Sequence, residues 1–212
     1  MKTNLVRVSY YIVGILFLAF GISMTLLSDL GAGGWDALTD NLSKITDIKI
    51  GTILIFLGIF LVLIAGIISK GKPKVEALAV SFITGIFINI WYYDIFQAQH
   101  FENFYIRLFA VILGVLSISL GCAMMFTSNL PKNHTETFVF AITERFSFKY
   151  KTIKTIADTV ALVIAILLGL IIKDFSNLGL GTILGTAFTG TLIHHMMPFT
   201  DGYFHKILKR IN

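Results

Sequence analysis

The sequence predicts an all-α membrane protein of six transmembrane helices. They form two inverted three-helix repeats, each with a short broken amphipathic helix after its first span. Three observations predict this. The 212 residues are 56% hydrophobic and only 14% charged, against roughly 25% charged in soluble domains. Uncharged runs long enough to cross a hydrocarbon core of about 30 Å as helices recur six times. The first and fourth of these runs align with each other, without a gap, at a spacing of 100 residues.

Lys2 and Arg7 precede the first span, about 8–28. This resembles a signal peptide, but the run is too long and no A-x-A-like cleavage site follows, so a retained helix is expected. The second and third spans fall at about 50–69 and 77–93 and contain no Asp, Glu, Lys or Arg. The fourth, about 108–128, holds the single cysteine, Cys122. It has no disulfide partner in the chain and reads as a small buried side chain. The fifth, about 155–172, is interrupted only by Asp158. The sixth, about 179–199, carries His194 and His195 near its end, ahead of the basic tail "FHKILKRIN". That tail suits an anionic inner leaflet. Barrel strands would be shorter and would alternate polar with apolar residues, which none of these segments does.

Thirteen of the seventeen Lys and Arg residues lie on one side: the amino terminus, the loop with Lys70, Lys72 and Lys74, the connection from Lys132 to Lys154, and the tail. Cytoplasmic loops retain such residues, so both termini are expected in the cytoplasm and the protein in the cell membrane. The net charge of +5 is then a signal of orientation and implies no nucleic-acid partner. Trp91, Tyr92 and Tyr93 fall at the expected outer interface, where amphipathic rings are favoured.

"RVSYYIVGILFLAFGISMTLLSDL" (Arg7–Leu30) aligns with "RLFAVILGVLSISLGCAMMFTSNL" (Arg107–Leu130). Arg7/Arg107, Gly14/Gly114, Gly21/Gly121, Ser28/Ser128 and Leu30/Leu130 are among the identities, and Asp36 meets Glu136. Residues 1–100 and 101–212 are therefore expected to be repeats. Three spans are an odd number of crossings, so the second copy enters the membrane upside down, as in many secondary transporters.

The two connections after the first and fourth spans correspond. "SDLGAGGWDALTDNLSK" breaks at Gly31, Gly33 and Gly34, while "SNLPKNHTETFVFAITERF" breaks at Pro131. Each then resumes a helical pattern, with Leu38, Leu42 and Ile45 on one face of the first and Phe138, Ile142 and Phe146 on one face of the second. Interrupted segments at matching places in two halves point to a binding site, because irregular backbone at membrane depth survives only where protein or water satisfies it. The competing reading is an amphipathic helix on each membrane face, with Asp36 and Glu136 stabilising a helix first turn.

"LGAGGWDALTDNLSKITDIKIGT" and "NLGLGTILGTAFTGTLI" resemble motifs of the YczE/YyaS/YitT family of bacterial membrane proteins. Gly34, Trp35, Asp36, Leu38, Gly51 and Thr52 match the first motif, and Gly179, Gly181 and Thr182 the second. Ala-Gly-Gly stands where Gly-Pro is commoner, and "LPKNHTETF" departs from the usual second-half form. The resemblance implies an integral membrane protein of a group without an assigned biochemical role.

The expected function is transport of a small polar solute through a site between the repeats. Its candidate residues are Gly34, Trp35, Asp36, Asn133, Glu136, Asn89, His194 and Asp158. Mirrored carboxylates favour a cationic or amine-bearing solute, or proton coupling. An acid within a span, such as Asp158, is a functional candidate by default, although Lys154 one turn earlier offers it a local partner. Gly14 with Gly21, Gly114 with Gly121 and Gly181 with Gly185 are spaced for close helix approach. The alternative function is a membrane-embedded solute-binding or accessory subunit acting with a partner membrane protein, or as a homo-oligomer. No G-x-x-x-x-G-K-[ST] element is present, so the chain does not drive transport with ATP itself. No nucleophile–base constellation or metal set stands out, and neither an enzyme nor a cofactor is expected.

Overall fold

The computed structural model describes residues 2–71 and 74–211; Lys72 of the basic loop lies outside them. Among the described residues the chain is helical and without strands. The elements are α1 (Lys2–Leu27), α2 (Gly34–Thr46), α3 (Ile50–Ser69), α4 (Glu76–Asn89), α5 (Phe104–Thr127), α6 (His134–Phe146), α7 (Tyr150–Ile172) and α8 (Leu180–Ile211). A π-helical turn, Ile90–Ile95, continues α4. Five stretches are long and apolar enough to cross a membrane: Asn4–Leu27, Ile50–Ser69, Glu76–Ile95, Phe104–Thr127 and Tyr150–Ile172. The expected sixth span begins α8, which is not among the five. Its glycines, threonines and paired histidines dilute the apolar content of that stretch.

α1 and α5 form the central pair, and small residues set their distance. A Cβ on Gly21 would lie 2.6 Å from Gly114 O, and one on Gly121 would lie 2.5 Å from Gly14 O. The pairing of 14 with 121 and 21 with 114 makes the helices antiparallel. Ile15, Ala19 and Leu27 of α1 join Ile88 and Tyr92 from the α4 stretch and Met125 of α5 in the main core. The aromatic trio packs against neighbouring helices. Tyr92 is buried, Trp91 meets Phe20 edge-on at 5.0 Å, and the Tyr93 hydroxyl accepts from Ile50 N at 3.2 Å.

Helix boundaries repeat at the 100-residue spacing. α2 and α6 match at both ends, and α3 and α7 begin at Ile50 and Tyr150. The chain also leaves α1 and α5 in the same way. Ser28 and Ser128 each donate a hydroxyl hydrogen bond of 2.6 Å to the carbonyl three residues earlier, and Asp29 and Asn129 adopt left-handed backbone (φ 49° and 53°). Arg7 donates to Ser128 O at 2.9 Å, while Arg107 donates to Ser28 O and Asp29 O. The two equivalent arginines thus hold the ends of each other's helices.

The short helices pack on the opposite half of the chain, α2 on α7 and α6 on α3. Ala37 and Leu38 of α2 bury against Ala161 and Ala165 of α7. At its start, a Cβ on Gly34 would meet Asp158 O at 2.9 Å, so only glycine lets the helices touch there. At its end, Lys44 reaches Asp174, beyond the last residue of α7. α2 therefore runs beside α7 in the same direction, starting well inside it. α6 likewise begins beside Gly58 and Ser81, the middle of α3 and α4, and its last turns lie beside Ala65, Gly66 and Ser69.

Candidate functional site

The first turns of α2 and α6 meet the second and third turns of α7. Lys154 is the hub. Its ammonium lies 3.0 Å from Asp158 Oδ1 and 3.3 Å from Glu136 Oε1. The other Glu136 oxygen accepts from the Tyr150 hydroxyl. Asp158 Oδ1 also accepts from Trp35 Nε1 at 2.9 Å. One lysine thus links an acid of α6, an acid of α7 and, through the latter, the indole of α2.

Local chemistry explains why each short helix starts there. Asn133 is the N-cap of α6, and its side-chain oxygen accepts from Glu136 N at 2.8 Å. This satisfies an orphan first-turn donor. His134 Nδ1 lies 2.7 Å from Ser81 Oγ. The Ser81 hydroxyl already donates to Ala77 O, so the imidazole Nδ1–H donates to the serine. This bond pins the start of α6 to α4. Gly33 caps α2 without a side chain, and Asp36 Oδ2 lies 3.0 Å from where a Cβ on Gly33 would sit. The Asp36 carboxylate therefore folds back over the first turn of its own helix, where the partial positive charge favours it. The two mirrored acids differ in role: Glu136 belongs to the ion network, and Asp36 stabilises its helix within electrostatic reach of Lys154 and Asp158.

Gly34, Trp35, Asp36, Asn133, Glu136 and Asp158 are brought together. Asn89 and His194 are not. Asn89 caps α3, its Oδ1 accepting from Gly51 N at 2.9 Å. His194 is exposed on α8, edge-on to His195. Sequence reasoning missed Lys154 as the hub and Tyr150 and His134 as members. A lysine one turn before an acid in an uncharged helix was the available signal, and it fits a local ion pair equally well. Among the described residues, no cluster of His, Cys, Asp and Glu could hold a metal ion.

A second polar cluster joins the far end of α2 to the α7–α8 loop. Asn177 Nδ2 donates to Asp40 Oδ2 at 2.7 Å and Asn41 Oδ1 at 2.6 Å, and Asn41 donates to Ala165 O at 2.7 Å. Lys44 lies 2.8 Å from Asp40 and 2.7 Å from Asp174. Burial opposes the lysine's charge, but the two carboxylates outweigh it and raise its pKa. Burial alone would raise Asp174, yet bonds from Lys44 and Ser176 hold it at about 2. Since this lies below the usual 3.8, the bridge is intact at neutral pH and is lost as pH falls through about 2.

Backbone contacts close the same corner. Gly181 N donates to Leu30 O at 2.6 Å and Ala32 N to Asn177 O at 2.9 Å. Gly31 has φ +108°, and a Cβ on Gly181 would lie 2.0 Å from Gly31 O. The two glycine-rich motifs singled out in the sequence therefore touch main chain to main chain.

Residues 5–198 match the family described as "Family of unknown function (DUF6198)". The chain is similar to the uncharacterized protein YyaS of Bacillus subtilis (strain 168), with 30% identity over 198 residues, covering 92% of this chain and 94% of that protein. It is also similar to the uncharacterized membrane protein YczE of the same organism, with 27% identity over 200 residues, covering 93% and 89%. No solved structure matches.

Proposed function

From the premise that the chain belongs to the family of unknown function DUF6198, with a relative named a membrane protein, we propose that it transports a small polar solute across the cell membrane. In this reading six helices cross the bilayer, both termini are cytoplasmic, and residues 1–100 and 101–212 are inverted repeats. The 100-residue periodicity of helix ends, the antiparallel α1–α5 pair and the exchanged arginine contacts support it. α2 and α6 are then re-entrant helices whose amino termini meet near the middle of the membrane.

The observation that carries the proposal is the Lys154 bridge from Glu136 to Asp158, with Trp35 bonded to the latter. Two carboxylates contact one ammonium group and a third, Asp36, lies within its electrostatic reach. Desolvated acids in excess of bases favour a cation, so the solute is an amine or other small cation, or protons couple its movement.

Thermal unfolding of the purified protein against a panel of amines, amino acids, anions and metal ions tests this. A ligand at a hundredfold its Kd should stabilise by about 2.7 kcal/mol. Asp36→Asn and Glu136→Gln should abolish the shift. A shift that both variants keep would remove the site from this cluster. Absence of any shift favours the second reading, a membrane-embedded subunit acting with a partner. In its support, α7 is the least buried of the five apolar stretches, and Gly185 and Gly190 of α8 face open space.

A further inference from the structure

The three acids of the central cluster are not equivalent. Glu136 and Asp158 each hold the Lys154 ammonium, at 3.3 Å and 3.0 Å. Each also has a second fixed donor, the Tyr150 hydroxyl for Glu136 and Trp35 Nε1 for Asp158. Asp36 makes no ion pair among the described residues. Its carboxylate lies back over Gly33 at the start of α2 and is half-buried, so a solute can reach it.

Groups from three other helices bear on the charge of Asp36. α7 brings Asp158, Lys154 and Tyr150, and α6 brings Glu136, with His134 within electrostatic reach of Lys154. α5 brings Cys122, within reach of Asp36, Glu136 and Lys154. Further along α2, Asp40 is engaged by Lys44 and Asn177. With Glu136 and Asp158 ionised, Lys154 leaves one negative charge uncompensated before Asp36 is counted. Adding a second away from water is unfavourable, whereas the positive end of α2 favours it. These opposed tendencies meet at one carboxyl group, and a cation beside it decides the balance. Tyr150, Lys154 and Asp158 stand four residues apart on one face of α7, about 6 Å per step. With Glu136 they form a hydrogen-bonded series from the first residue of α7 to Trp35. Beyond Asp158, Ala161 and Ala165 pack on Ala37 and Leu38 of α2. The polar series thus leads towards the amino-terminal end of α7, which the transport reading places in the cytoplasm.

We propose that Asp36 is the proton-carrying group of this site and that it gives up its proton when a small cation binds. Without solute the carboxyl group is protonated. As an ammonium-type cation settles beside it, the O–H bond breaks, the carboxylate keeps the electron pair and pairs with the cation, and the proton leaves towards the amino-terminal end of α7. One positive charge enters and one departs, so the charge of the site is unchanged. Glu136 and Asp158 stay clamped by Lys154 throughout. This rests on the transport reading above and deepens it by naming the coupling ion and its carrier: the protein exchanges a cation for a proton.

Trp35 supplies a readout that needs no solute. The chain has two tryptophans, Trp35 and Trp91, so a Trp91→Phe protein in detergent reports from Trp35 alone, next to Asp36 and bonded to Asp158. Its fluorescence is followed as pH is varied. One protonation step is expected, lost in Asp36→Asn and kept in Asp36→Glu, which guards against a folding defect peculiar to the amide. Glu136→Gln removes a neighbouring negative charge and favours ionised Asp36, so the step should move to lower pH. Lys154→Met removes the cation and should move it to higher pH. Methylammonium is the cation probe in the thermal assay. Its half-saturating concentration should rise about tenfold for each unit of pH below the step, as one-for-one exchange with a proton requires. A step that survives Asp36→Asn, the absence of any step, or methylammonium binding that is independent of pH overturns the proposal. The transport reading fails separately. If the step behaves as expected but methylammonium and the rest of the panel give no thermal shift, Asp36 still exchanges a proton and transport does not stand. If a cation binds and the step ignores Asp36→Asn, transport stands and Asp36 is not its proton carrier.

Discussion

Lys154 shows how one side chain can decide whether a cluster of acids is tolerated. Its neighbours Glu136 and Asp158 lie within 3.3 Å and 3.0 Å, and removing the cation leaves both without their counter-charge. Lys154→Met should lower stability by about 2 kcal/mol, in the range for hydrogen bonds to charged groups, measured by thermal melting in detergent. The same substitution in a Glu136→Gln background should cost less, because the two positions are coupled. Equal costs in both backgrounds would show that the pair contributes nothing. The residue types of this site were legible in the sequence, since acids and an aromatic in an apolar setting stand out. Their partners were not. Trp35 and Asp158 are 123 residues apart, and nothing in either local pattern specifies the other. Asn89 and His194, linked only by similar positions in two spans, turned out to have unrelated surroundings.

Among the elements, glycine spacing distinguishes helices that touch from helices that do not. A Cβ on Gly121 would press on Gly14 O and on Leu18 N at 2.5 and 2.6 Å, both rigid backbone atoms. Gly121→Ala should therefore separate α1 from α5 and cost about 1–3 kcal/mol, as overpacking does. Gly190 has nothing within 4 Å, so Gly190→Ala should be neutral or stabilise by up to about 1 kcal/mol through helix propensity. Melting temperatures of the two variants, measured side by side, check the contrast; an indifferent Gly121→Ala would refute it. Sequence periodicity located the long helices because burial in lipid demands uninterrupted apolar runs. It also placed α2 and α6, whose glycine or proline breaks and apolar faces were visible. It did not show that each would pack on the opposite half, since the Gly34 contact that permits this is made between elements. The π-helical turn at Ile90–Ile95 left no mark beyond an aromatic run.

For the whole molecule, topology hangs on α8. Six crossings put both termini on one side; five put them on opposite sides. Fusing a reporter that is active only in the cytoplasm to each terminus decides the matter, and activity at both ends is expected. The distribution of Lys and Arg along the sequence is what leads to that expectation. The packing of each short helix on the opposite half also bears on synthesis. α2 leaves the ribosome well before α7, the helix on which it packs most extensively. At 5–20 residues per second the 123 residues from Trp35 to Asp158 take roughly 6–25 s to make. Throughout that interval a glycine-started helix with two aspartates waits at the insertion machinery without its main packing partner. A chain truncated before α7 should therefore hold α2 outside the bilayer, and its mature position is settled only by the second half of the message.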